Sequence, residues 1–165
     1  MLLVFGGICT ALSVIALCLS TYIHINTLAF LALASALTGV MQIEGGTRYS
    51  LLTFGATSFL LLILPVDRLS FIYYIGFFGY YPVLKFYIER LDSLKWELII
   101  KTVFFVLISF LGLWIITGFL AKSISESLPW QLIALFGVLL MHVFDYALSV
   151  FFSVYEKKIR NKIKR

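Results

Sequence analysis

The side chains best placed to do chemistry are the few charged groups set inside long apolar runs. Asp145 stands well inside the run from Pro129 to Val154, and His142 lies one turn earlier on the same helical face. A buried carboxylate takes up a proton unless a cation neutralises it. Two lysines are positioned to do so: Lys101, one to two turns into the run Trp96 to Ala121, and Lys85, near the end of the run Leu69 to Ile88. Asp145 is about eight residues, or ~12 Å at 1.5 Å per residue, from the end of its own run, and Lys101 sits at a comparable depth. Two roles are open to this set. It is a structural ion pair among the last three helices, or a proton or ion relay. One histidine with one aspartate makes no metal site, because no third ligand stands at a telling spacing.

A second group is aromatic: Tyr73-Tyr74-Ile75-Gly76-Phe77-Phe78-Gly79-Tyr80-Tyr81-Pro82-Val83-Leu84-Lys85. Pro82 cannot donate a backbone hydrogen bond and frees the carbonyl of Phe78. Gly76 and Gly79 admit a neighbouring helix or a ligand at close range. The segment is expected to be a helix kinked at Pro82. The rings and hydroxyls of Tyr73, Tyr74, Phe77, Tyr80 and Tyr81 would line a pocket for a planar or amphipathic ligand, or form a packing face with tyrosines at the interface. Outer-side groups for such a site are Trp114, Trp130 and Gln131, with Tyr22, His24, Asn26, Asp67 and Arg68 near. Small residues recur four apart at Gly7 and Ala11 and at Ala32 and Ala36, with Gly39 following. Such faces let helices approach closely, within the chain or to a partner.

The elements that must hold these groups are membrane helices. Of the 165 residues, 62% are hydrophobic and 13% charged, and the mean hydropathy is +1.04, against roughly half apolar and a quarter charged in soluble domains. Six apolar runs can be marked: Leu2 to Ser20, Thr27 to Ile43, Tyr49 to Val66, Leu69 to Ile88, Trp96 to Ala121 and Pro129 to Val154. Backbone groups in lipid must bond within their own segment, and runs such as Phe59 to Leu64 do not alternate as barrel strands would. The expected fold is an all-α, compact bundle of six transmembrane helices over residues 1–154, followed by a basic cytoplasmic tail over 155–165. Ser127 is placed to cap the last helix, with Pro129 in its first turn.

Charge sets the orientation. With six crossings, one side carries Arg48, Lys85, Arg90, Lys95, Lys101 and every basic residue of the tail, and the other only Arg68 and Lys122 of the 13 Lys and Arg. That bias puts both termini in the cytoplasm of a plasma membrane. The tail is a topology anchor or an attachment to anionic lipid, at ~1 kcal/mol per basic residue. The net charge of +5 comes from the tail and does not call for nucleic acid. Cys9 and Cys18 share the first run and read as small apolar packing residues. There is no Gly-x-Ser-x-Gly, no His-Glu-x-x-His, no phosphate-binding glycine loop and no Asp-x-x-Asp pair, so neither an enzyme nor a bound cofactor is expected.

The size, six helices, inside termini and small-residue first helix resemble the S components of energy-coupling-factor vitamin transporters, with Gly7-x-x-x-Ala11 in the place of that family's docking motif. The resemblance implies a compact subunit of a bacterial cell membrane that binds a vitamin-like small molecule from outside. It also implies pairing with a transmembrane coupling subunit and two ATPases. The stretch Phe77 to Lys85, with Ile88-Glu89, Lys101 and Phe104-Phe105, is also similar to a group of uncharacterised membrane proteins of Gram-positive bacteria. Two other readings stand beside transport: a membrane scaffold or regulatory subunit that contacts a partner through its cytoplasmic charges, and a carrier acting alone through Asp145.

Overall fold

The computed structural model describes residues 2–23, 26–91, 93–119 and 130–160. Among these the protein is helical, with no strand. The helices are α1 (Leu2–Tyr22), α2 (Thr27–Gly45), α3 (Thr47–Ile63), α4 (Arg68–Tyr73), α5 (Tyr81–Ile88), α6 (Leu94–Phe119) and α7 (Trp130–Val154). A π-helical turn, Tyr74–Phe78, follows α4, and a second, Tyr155–Arg160, continues α7. Helices α1 and α2 and the segment Leu132–Lys158 are each long and apolar enough to cross a membrane. The turn containing Ser127 and Pro129, the His24 side chain and the last residues of the tail lie outside the described residues.

The chain divides into two units: Met1–Tyr87 with Leu148–Arg165, and Ile88–Ala147. In the first, α1, α2 and α3 pack on one another. Their reversals are short. Gly46 alone joins α2 to α3, at φ 78° and ψ −177°, a backbone state that a Cβ would strain. Its N–H still donates to Gln42 O at 3.1 Å, and its carbonyl accepts from Ser50 N at 3.1 Å, so neither helix end is left unsatisfied there. Helix α3 stops at Leu64, which is extended ahead of Pro65 as the proline ring requires. Asp67 then caps α4, its Oδ2 accepting from Ser70 N at 3.2 Å. The Asp67 N–H donates to Thr21 Oγ1 at 3.2 Å, tying this turn to the end of α1.

The core of this unit is Leu17, Leu31, Ala34, Leu61 and Tyr74, with Phe54, Val66, Phe71, Ile75 and Phe78 packed around it. Large apolar side chains also face outward: Phe59 is 63% exposed and Leu62 67%. In water such a surface would be costly, while in lipid it is the solvated face. Two glycines set helix spacing. Phe152 packs directly on Gly39, and Phe54 on Gly79.

The expected kink at Pro82 takes a specific form. The helix from Arg68 changes to π geometry at Tyr74, with Gly79 N donating to Tyr74 O at 2.7 Å, five residues back. Helix α5 begins afresh at Tyr81. Pro82 therefore stands in a first turn, where the missing N–H costs little.

The second unit holds α6 and the part of α7 up to Ala147. The two helices run antiparallel in a fixed register: Lys101 meets Asp145, Thr102 and Phe105 meet His142, and Ser109 meets Gly137 and Met141. The inward stripe of α6 is Lys101, Phe105 and Ser109, four apart and buried, as one helix face requires. Most other large residues of α6 and α7 are exposed.

Candidate functional site

Two polar clusters are built into this apolar chain. The first surrounds Tyr74. The π turn places Tyr74 and Phe77, three residues apart, both inside the unit, 0% and 3% exposed. The Tyr74 hydroxyl has no hydrogen-bond partner within the protein. The Thr38 and Thr57 hydroxyls, from α2 and α3, are near it but beyond bonding contact. Thr57 Oγ1 is itself without a partner, as are Ser13 Oγ on α1 and Ser35 Oγ on α2. All four residues are fully buried. Other hydroxyls of these helices are satisfied by bonding the carbonyl one turn back: Thr10 to Gly6 O, Thr38 to Ala34 O and Thr53 to Tyr49 O. Ser50 Oγ crosses from α3 to donate to Thr38 O at 2.9 Å. The layer of Ser13, Ser35, Thr57 and Tyr74 is thus set apart by its unmade bonds.

Aromatic rings frame this layer. Phe54 touches Tyr74 at 5.9 Å between centroids and Tyr80 at 6.1 Å. Phe77 stacks on Tyr81 at 4.7 Å, and Tyr81 is fully buried. The Tyr80 hydroxyl donates to Gly76 O at 2.7 Å. Tyr73 is turned outward, 37% exposed. Trp114, largely exposed, belongs to the second unit. The side chains of Trp130 and Gln131 lie outside the described residues.

The second cluster is ionic and lies wholly in the second unit. Lys101 Nζ donates to Glu97 Oε1 at 2.7 Å, Glu89 Oε1 at 2.9 Å and Asp145 Oδ2 at 2.9 Å. An ammonium has three hydrogens to give, and each has a carboxylate. The Lys101 side chain is 7% exposed; those of Asp145, Glu97 and Glu89 are 14%, 21% and 36% exposed. Beside this cluster, His142 Nδ1 is 2.9 Å from Val138 O and its Nε2 is 3.2 Å from Thr102 Oγ1. Phe105 meets the His142 ring edge to face at 4.9 Å. Lys85 stands elsewhere, in the first unit, where its buried Nζ donates to Ser149 Oγ at 2.7 Å. Among the described residues no three His, Cys, Asp or Glu side chains are grouped to hold a metal ion.

Sequence reasoning singled out Asp145, Lys101 and His142 but not their companions. Glu97 is four residues before Lys101, the spacing of a helical ion pair, and that signal was available. Glu89 reaches the cluster only through the reversal before α6. The hydroxyl layer was also readable in part, since Ser13, Thr38 and Thr57 interrupt apolar runs. Of the small residues, Gly7 and Ala11 are exposed on α1, with nothing within 4 Å of where a Gly7 Cβ would stand. Ala32 is half-buried, Ala36 is buried, and Gly39 is covered by Phe152 of the same chain.

No protein-family model matches the chain, and neither does any curated protein or solved structure.

Proposed function

We propose that this chain is a solute-binding membrane subunit of an uptake transporter of the energy-coupling-factor type, taking a vitamin-like small molecule. It crosses a bacterial cell membrane six times, by α1, α2, α3, the α4–α5 segment, α6 and α7, with both ends in the cytoplasm. The single observation that carries the reading is the Tyr74 hydroxyl, wholly buried and unpartnered beside the equally unpartnered Thr57. Each such group costs about 1–3 kcal/mol, a cost that polar atoms of a bound solute would offset. The site offers neutral donors and acceptors framed by rings, which suits an uncharged, partly aromatic ligand. Its place in the chain also fits capture from outside. Leu17, Leu31, Leu61 and Tyr74 are all nearer the reversals at residues 23–26 and 64–67, the side poor in Lys and Arg. Energy would come from partner subunits, because the sequence has no nucleotide-binding loop. The exposed Gly7 and Ala11 face of α1 is the surface on which the coupling subunit would dock.

The test is purification from native membranes in mild detergent, followed by mass spectrometry of co-purifying proteins and retained small molecules. A coupling membrane subunit with ATPases, or a vitamin-like compound lost in Y74F and T57V, supports the reading. A different partner, with no small molecule retained by the wild type, overturns it in favour of a scaffold or regulatory subunit.

A further inference from the structure

The contacts of His142 obey a donor and acceptor count that a neutral ring cannot meet. Its Nδ1 faces the carbonyl of Val138 at 2.9 Å. A carbonyl only accepts, so Nδ1 carries a hydrogen. Its Nε2 faces Thr102 Oγ1 at 3.2 Å, and that hydroxyl lies 2.8 Å from Leu98 O, another group that only accepts. A hydroxyl has one hydrogen. When it goes to Leu98 O, only lone pairs remain to face Nε2, which must then carry a hydrogen as well. When it goes to Nε2, the contact with Leu98 O is lost. All three contacts are made together only by the doubly protonated, cationic ring.

We propose that His142 is a reversible proton-binding site on the seam of α6 and α7, with Thr102 as its positioning residue. On binding, one proton adds to the Nε2 lone pair, the ring gains one positive charge, and the Thr102 hydroxyl turns its hydrogen from Nε2 to Leu98 O. No other bond changes. Histidine suits this role because its charge changes between about pH 5 and 8. The ionisable groups beside it in this unit are Asp145 on α7, three residues on, and Lys101 and Glu97 on α6, with Glu89 just ahead of α6; these four are joined at Lys101 Nζ. Tyr146 and Lys95 are turned outward. The site thus adds a charge next to a set already balanced by short contacts. The proton is its ligand, and the inference stands independently of the solute proposed for the Tyr74 layer.

The experiment is nitrogen-15 NMR of histidine-labelled protein in detergent micelles, from pH 8 to pH 5. The chain has two histidines, and H142Q assigns the signals. We expect a ring protonated at Nδ1 alone at pH 8, gaining the Nε2 hydrogen reversibly within this range. T102V, which removes the acceptor, lowers the ratio of charged to neutral ring several-fold at a given pH, and T102S restores it. The wild-type spectra need no variant. A neutral ring protonated at Nε2, a ring that does not titrate across the range, or a T102V titration identical to wild type would overturn the proposal.

Discussion

Replacing Lys101 by methionine keeps the length of the side chain and removes the ammonium that three carboxylates share. The cost follows from the exposure of each partner. Breaking a buried ion pair from one side costs about 3–5 kcal/mol, because the charges left behind were stripped of water for that partner. Asp145 and Glu97, at 14% and 21% side-chain exposure, meet that condition, whereas Glu89, at 36%, keeps much of its water. K101M is therefore expected to lose about 3–5 kcal/mol of stability. The carboxylate variants lose less, since Lys101 keeps two other acceptors in each. D145N should cost about 1–3 kcal/mol, E97Q somewhat less, and E89Q no more than ~1 kcal/mol. The K101M/D145N double variant should be less damaged than the two single losses summed, because neutralising both leaves one fewer charge in apolar surroundings. The assay is reversible unfolding in mixed micelles, titrating denaturing detergent and following tryptophan fluorescence and helical circular dichroism. A K101M protein within about 0.5 kcal/mol of wild type, or a series in which E89Q is the costliest carboxylate change, would refute the ranking by burial.

Three further outcomes are expected. G79A should lose about 1–3 kcal/mol, because its Cβ would collide with the Phe54 ring and stand 3.0 Å from Tyr74 O, and F54L should recover part of the loss in the same unfolding assay. Ligand-free Y74F should unfold within ~1 kcal/mol of wild type or be slightly more stable, since the change deletes a buried hydroxyl that bonds nothing in the protein; a loss above ~2 kcal/mol would mean that the hydroxyl is structurally engaged. S50A should cost about 1 kcal/mol by removing the bond from α3 to Thr38 O, read as a lower detergent midpoint with an unchanged slope.

Much of the helical layout could be read from the residues, and the reason is the solvent. An apolar run of about 20 residues has few alternatives to a helix in lipid, so the helices fall on the six runs marked, with ends shifted by a few residues. Helix α2 runs on to Gly45 instead of stopping near Ile43, because the turn needs only Gly46. The charges in apolar runs stood out for the same reason. Less legible was anything that depended on a side chain's direction. Glu89 enters the ionic cluster because the chain reverses before α6. Thr57 and Tyr74 come close because α3 and the π turn pack at one level. Pro82 with Gly76 and Gly79 announced a discontinuity. Its π geometry was not written in any one residue, since it depends on where Tyr74 and Phe77 are held at once.

The π turn has a consequence for how this region could change over generations. One extra residue fitted into a helix whose ends are held rotates nothing, but the loss of that residue would turn everything after it by about 100°, at 3.6 residues per turn. Lys85, seven residues past Phe78, would then point away from Ser149, which it now meets at 2.7 Å. The stretch from Tyr74 to Phe78 therefore works as a spacer whose length is constrained more tightly than its lettering. Exchanges among its side chains alter contacts one at a time, while a single-codon deletion would re-aim a whole helix.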